Sequence, residues 1–156
     1  MARVPAFADI ADEFRRRWER TVWATMATVG PAGRLQSRIV HPLWEGSLGW
    51  VLTGPRSTKG RHVTNNPYTS LTYWDQTNEQ VHVECRTEWA RRPEEKRRIW
   101  DLFKDTPPPL GYDPGLFFKE GAEAESTGVL KLVPWRVELW SLADLMSGKP
   151  PRVWIA

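Results

Sequence analysis

The chain has 156 residues and a net charge of +3, a length that supports one domain with one proper core. Its single cysteine, Cys85, excludes a disulfide framework. No apolar run approaches the ~20 residues a membrane helix needs and the N-terminus does not read as a secretion signal, so a soluble cytoplasmic protein is expected.

Phe7, Ile10, Ala11, Phe14 and Trp18 recur at helical spacing and predict an amphipathic helix over residues 7–18. Arg15, Arg16 and Arg17, flanked by Asp12, Glu13 and Glu19, are expected on its solvated face. Residues 21–29 are then rich in β-branched side chains, Gly30-Pro31-Ala32-Gly33 marks a turn, and residues 34–44 continue as a second strand. A third strand at 50–53 stops at Gly54-Pro55. A short helix over 57–65 follows, with Ser57 near its N-cap and Pro67 closing it.

Residues 70–74 and 81–89 read as strands about the turn 75–78, and Pro93 with Glu94 and Glu95 opens a helix that ends before Thr106. The stretch 106–125 is a long loop rich in proline and glycine, expected to act as a cover rather than a linker. Residues 128–133 and 135–142 are expected as two strands separated at Pro134. Six or seven short antiparallel strands with an N-terminal helix, a short helix and a covering helix predict a mainly β, α+β barrel in one domain over 1–156.

The charge is unevenly placed. From residue 34 to 65, Arg34, Arg38, Arg56, Lys59 and Arg61 stand against Glu45 alone, which suits a small anion site better than a groove tracking nucleic acid. The ten tryptophans are not interleaved with the basic residues, so a stacking surface for single strands is not expected either. His82 and Cys85 are an odd number of residues apart on one strand and face opposite sides, so no metal site is expected. Nothing resembles a hydrolytic nucleophile with its base, and no catalytic residue is singled out.

The segment 53–67 carries the strongest chemical signal. A strand runs into a glycine-proline turn, after which a hydroxyl and an ammonium, Ser57 and Lys59, open a helix whose free N–H groups point outward. This arrangement holds a phosphate, and it is equally that of a plain capped helix with a solvated lysine. Arg38 lies mid-strand; with Ile39 facing the core it would point to the opposite face, either to an anion or to water.

Arg38-Ile39-Val40, Leu52-Thr53, Ser57-x-Lys59, Asn65-Asn66-Pro67, Gln80-Val81-His82-Val83 and Val137-Glu138-Leu139-Trp140, in this order, resemble the flavin mononucleotide (FMN) site of the pyridoxamine 5′-phosphate oxidase-like split β-barrels. The resemblance spans residues 21–142, and the chain is most similar to the general stress protein 26-like branch. It implies a homodimeric flavoprotein oxidoreductase acting on a small molecule, with FMN in a groove between two copies and neither nucleic acid nor membrane as partner. It also implies Arg38, Ser57 and Lys59 on the phosphate, with Thr58 between the last two. Ile39, Val40, His41, Leu52 and Thr53 would border the flavin, Gln80 would reach it from the second copy, and Trp140 would lie beside it.

Two departures bear on the reaction. The vitamin B6 oxidases carry a basic residue where this chain has Thr58 and a lysine where its strand continues as Pro42-Leu43. The same fold also binds deazaflavin F420 or haem, which stand as alternative cofactors, as does a flavin-binding role without turnover.

Overall fold

A computed structural model describes all residues, Met1–Ala156. After the two-residue β1 (Ala2–Arg3), a single turn at Phe7–Asp9 leads into α1 (Ala11–Thr21). Strands β2 (Ala24–Val29), β3 (Leu35–Val40), β4 (Leu43–Glu45) and β5 (Leu48–Thr53) precede α2 (Thr58–Asn65). Then come β6 (Tyr68–Trp74), β7 (Glu79–Trp89), α3 (Pro93–Asp105), β8 (Gly128–Ser141), α4 (Leu142–Met146) and β9 (Arg152–Ile155).

The strands form one nine-stranded sheet in the order β1-β9-β8-β7-β6-β2-β3, with β4 on β5 and β5 on β8. All pairs are antiparallel except β1 on β9. The fold is thus α+β and a split barrel, with two more strands than the pattern predicts. Three strands are additional, offset by the two expected at 128–142 being one: β1 has two residues and β9 four, too few to carry an alternation of their own, and β4 arises because the expected strand 34–44 breaks at His41-Pro42.

The strand β8 organises the architecture. One edge pairs with β7 along its length; the other pairs with β5 through Gly128–Leu132 and then with β9 from Arg136 to Leu139. Between the two partners lies Pro134, which lacks an N–H for the ladder. The expected break there is instead a register shift opposite Glu84 and Cys85, so the two expected strands are one bulged strand. The extra residue is on β8, so alternation along β7 is unbroken: Cys85 is buried in the core while His82 lies on the opposite face.

The barrel interior is filled by Met26, Leu71, Val81, Val83, Leu130 and Val137, all essentially inaccessible to water. Trp44 and Tyr73 bring polar atoms inside and satisfy them mutually, the indole Nε1–H donating to the phenol oxygen at 2.8 Å.

The helix α1 closes one end through Ile10, Phe14 and Trp18. Its arginines do not form one solvated face. Arg15 is exposed, whereas Arg17 is only 3% exposed and donates to the carbonyls of Gln80 (2.8 Å) and Trp140 (2.7 Å) and to Glu13. Arg16 and Arg20 grip Glu79, and Arg20 also grips Asp75, docking the helix on the β6–β7 turn.

The sheet does not close. The last strand in the order, β3, pairs only with β2. On β5, β4 covers Leu48–Trp50 alone, so Val51, Leu52 and Thr53 have β8 on one side and no strand on the other. The seam between the ends of β3 and β5 is where the chemistry collects.

Candidate functional site

The helix α2 starts as its sequence dictates. Ser57 is its N-cap, the hydroxyl oxygen accepting from the Gly60 N–H at 3.0 Å, and the hydroxyl lies 3.5 Å from that of Thr53. Gly60 lets the helix sit against the preceding turn, since a Cβ there would come within 2.4 Å of the Pro55 carbonyl oxygen and 2.6 Å of that of Gly54. The helix is fixed from behind by His62, whose Nδ1 lies 2.9 Å from the buried Thr28 hydroxyl of β2.

Thr28 links α2 to the second cation. The Arg38 guanidinium donates to the Thr28 hydroxyl at 2.6 Å and to the Met26 carbonyl at 3.3 Å. That hydroxyl, accepting from Arg38, keeps its own proton for His62. The strand phase is the reverse of the expected one: Ile39 is exposed, and Arg38 shares the inward side of β3 with buried Val40.

Arg38 and Lys59 converge without a carboxylate. Neither forms an ion pair. Burial lowers the pKa of both, and the charge on Arg38 lowers that of Lys59 further. Two partly desolvated like charges at a helix N-terminus form a cradle for an anion.

A cleft of about 580 Å³ opens from this cradle. Its strand wall is Ile39, Val40 and His41 from the end of β3 and Val51, Leu52 and Thr53 from β5, with Lys59 at one end. Its other wall is the loop after α3, through Pro109, Gly111, Tyr112, Leu116, Phe117 and Phe118. The loop expected as a cover does lie over the seam, and His41 ties it down: the imidazole Nε2–H donates to the Leu110 carbonyl at 2.8 Å. The His41 ring packs between Trp23 and Tyr112, with centroids at 4.7 and 4.9 Å. Burial lowers its pKa, keeping the imidazole neutral, and pushes the Tyr112 phenol up to about 12.

Of the residues picked out by sequence, Ile39, Val40, His41, Leu52, Thr53 and Lys59 line one cleft. Arg38 adjoins it through Lys59, and Ser57 through Thr53; Thr58 is the exposed first residue of α2 and contributes a free backbone N–H. Gln80 and Trp140 are elsewhere. They face each other across β7 and β8, twelve residues along β8 from the Gly128 that pairs with Thr53.

The family model for pyridoxamine 5′-phosphate oxidase matches residues 10–141, most of the chain and every strand of the cleft. The chain belongs to this family. Among members of the pyridoxamine 5′-phosphate oxidase family, the pyridoxine/pyridoxamine 5′-phosphate oxidase of Bacteroides thetaiotaomicron is 28% identical over 151 residues, covering 82% of this chain and 68% of that one. That of Paraburkholderia xenovorans is 45% identical over 64 residues, 40% of this chain and 30% of that one. The chain thus spans about a third of the length of several curated relatives it matches.

Among solved structures, a Clostridium acetobutylicum protein related to general stress protein 26 superposes with a TM-score of 0.73 at 11% identity, covering 94% of each chain. A pyridoxamine 5′-phosphate oxidase-related, FMN-binding protein of Nostoc punctiforme gives 0.64 at 16% identity, covering 90% of this chain and 86% of that one. An F420 reductase gives 0.58 at 19% identity, over 79% and 94%. A haem-binding protein of Mycobacterium smegmatis gives 0.63 at 18% identity, over 88% and 55%. Solved structures of this one fold thus include an FMN-binding protein, an F420 reductase and a haem-binding protein.

Sequence reasoning missed the aromatic wall. Trp23, Tyr112, Phe117 and Phe118 line the cleft, and only the length of the loop pointed toward it. The available signal was the apolar content of that loop: Leu116, Phe117 and Phe118 in succession are out of place in a solvated connection.

Proposed function

We propose that this chain binds FMN and works as a flavin-dependent oxidoreductase on a small molecule, as a homodimer. The observation that carries the reading is the pair Arg38 and Lys59, converging unpaired at the N-terminus of α2 on the end of an apolar cleft. A dianionic phosphate satisfies both cations, the Ser57 hydroxyl and the free N–H groups of Thr58 and Lys59, each by a charge-assisted hydrogen bond. The flat ring then occupies the seam along Ile39, Val40 and His41 and beside Leu52 and Thr53, with apolar surface on both sides.

When bound, FMN supplies hydride and electron transfer, for which the protein needs no acid or base of its own. The residues of the chain bind and orient. His41 holds the loop closed as a neutral donor, and the loop shields the ring from water. Gln80 and Trp140 act on the cofactor of a second copy, since their end of the β7–β8 ribbon lies far from their own cleft.

F420 is the second reading, favoured by one observation. Arg56 and Arg61 line a polar hollow with Thr64 and Asn65 beside the cradle, where an acidic tail would find positive charge. The visible spectrum of the purified protein separates the two: a pair of flavin bands supports FMN, a single deazaflavin band supports F420, and a Soret band supports haem. Mass identification of the released molecule confirms the assignment. The double substitution Arg38→Ala with Lys59→Ala is expected to abolish FMN retention. Unchanged binding in that variant overturns the phosphate assignment.

A further inference from the structure

We propose that the molecule meeting the cofactor in this cleft is an uncharged planar aromatic compound, not a phosphorylated amine. This deepens the FMN reading and rests on it. The argument is one of charge. A cofactor phosphate occupies Arg38 and Lys59, the two cations that converge on the cleft, while Arg56 and Arg61 line a separate hollow and not the cleft. The remainder of the cleft offers none: Lys59 is the sole ionised residue on its lining, and His41 is held neutral by burial. A second phosphate therefore finds no counter-ion there.

An ammonium fares no better, because no carboxylate lines the cleft. Pyridoxamine 5′-phosphate, the compound after which the family is named, carries both groups. A second copy of the chain does not change the balance through its Gln80–Trp140 end. Arg136 there is committed to Glu84 and Glu138, Arg152 to Glu13, and Arg16 and Arg20 to Glu79. Arg17 is paired with Glu13, donates to two backbone carbonyls and is only 3% exposed, so its charge is out of reach of a ligand.

What the cleft does offer is aromatic surface. Trp23, Tyr112 and Phe117 stand on its lining, Tyr112 edge-on to Phe117 with centroids 5.7 Å apart. Phe117 is 71% exposed and Leu116 62%, apolar side chains standing at the mouth of the cleft rather than in the core. An uncharged ring stacked against the loop wall covers that surface without leaving a charge unpaired. Phe117 and Tyr112 are accordingly specificity-determining residues.

The test uses the full chain loaded with FMN and equilibrium dialysis against two probes, menadione, an uncharged naphthoquinone, and pyridoxamine 5′-phosphate. Menadione is expected to bind saturably, and Phe117→Ala to weaken it about three- to tenfold, the worth of one aromatic contact. Phe117 is exposed, so the substitution leaves the fold intact. Tyr112→Leu, which keeps an apolar side chain at the half-buried position, provides the second variant and is expected to weaken menadione similarly. Pyridoxamine 5′-phosphate is expected not to bind the loaded protein or displace menadione. Tighter binding of pyridoxamine 5′-phosphate, or menadione binding indifferent to both substitutions, overturns the inference while leaving FMN binding standing. Failure of the chain to take up FMN in the loading step overturns the cofactor reading and this inference together.

Discussion

Replacing Lys59 by methionine is expected to move stability and cofactor binding in opposite directions. Methionine keeps an unbranched stem of similar reach and removes an ammonium that both burial and Arg38 penalise. Burial and the charge on Arg38 both act against the ammonium, and for two partly exposed, screened groups the like-charge repulsion is worth about 1 kcal/mol. The variant without cofactor should therefore be more stable than the parent by about 1 kcal/mol, a rise in Tm of about 2–4 °C for a chain of this size. FMN, losing a charge-assisted hydrogen bond worth about 1.5–3 kcal/mol, should bind about 10- to 100-fold more weakly. The pH dependence has a definite sign. A lysine whose folded pKa is depressed costs stability while charged, and the cost disappears as pH rises from the folded value toward the unfolded one near 10.4. The parent should gain stability over that alkaline window and Lys59→Met should not. Urea unfolding followed by tryptophan fluorescence, with FMN titration alongside, reads all three quantities. A variant less stable than the parent at neutral pH refutes the reasoning, because it means that the ammonium already has a partner in the protein.

Gly60→Ala should destabilise the chain by about 1–3 kcal/mol and weaken FMN binding, since the new methyl forces α2 off the Gly54-Pro55 turn and shifts Lys59 with it; urea unfolding and an FMN titration check both. Arg16 above all holds the Glu79 carboxyl down at about 2, so the contribution of Glu79 is present above its unfolded pKa near 4.5 and is lost as pH falls from there toward 2. Glu79→Gln should cost about 1–2 kcal/mol at pH 7 and flatten the loss of stability between pH 4.5 and 2.5, as urea midpoints across that range would show. Tyr73→Phe leaves the buried Trp44 indole N–H without an acceptor and should cost about 1–3 kcal/mol by thermal unfolding with no change in FMN affinity. Finally, Lys59→Met and Trp140→Ala chains co-refolded in equal amounts should regain native FMN affinity in about a quarter of their sites, half the dimers being mixed and each mixed dimer holding one undamaged site. A mixture that titrates as the plain average of the two variants places the whole site in one copy.

Features governed by local chemistry were legible in the sequence, and those decided by pairing partners were not. Ser57 as N-cap and Pro93 at the start of α3 follow from a few neighbouring residues, and both stand where the sequence places them. The phase of β3 was ambiguous because Ile39 and Val40 are both apolar and adjacent, so alternation alone could not say which faced inward. Pro134 looked like a strand end. It is tolerated because the ladder with β7 bulges beside it, a property of the partner strand. The arginine run on α1 read as solvated, yet Arg17 is buried because the helix docks across the end of the β7–β8 ribbon, where two carbonyls await a donor. For the site, Ser57 and Lys59 at the start of α2 were legible because they lie in one local segment, whereas their meeting with Arg38 depends on the phase of β3. The loop wall was not, since nothing local says which side chains of a long loop will turn inward.

The geometry of β8 explains why a fold of this size leaves a seam. The strand changes its outer partner at the bulge, from β5 to β9, so neither can continue past the other to close the cylinder. The unpaired end of β5 and the end of β3 then line one cleft, with the loop after α3 as its other wall. The same length that splits the barrel separates the two groups of residues assigned to the cofactor. Twelve residues at about 3.3 Å each put Trp140 about 40 Å along the strand from Gly128 and the cradle. On the proposed function, a chain that holds a phosphate at one end of its longest strand and presents Gln80 and Trp140 at the other would need a second copy alongside to bring the two groups together.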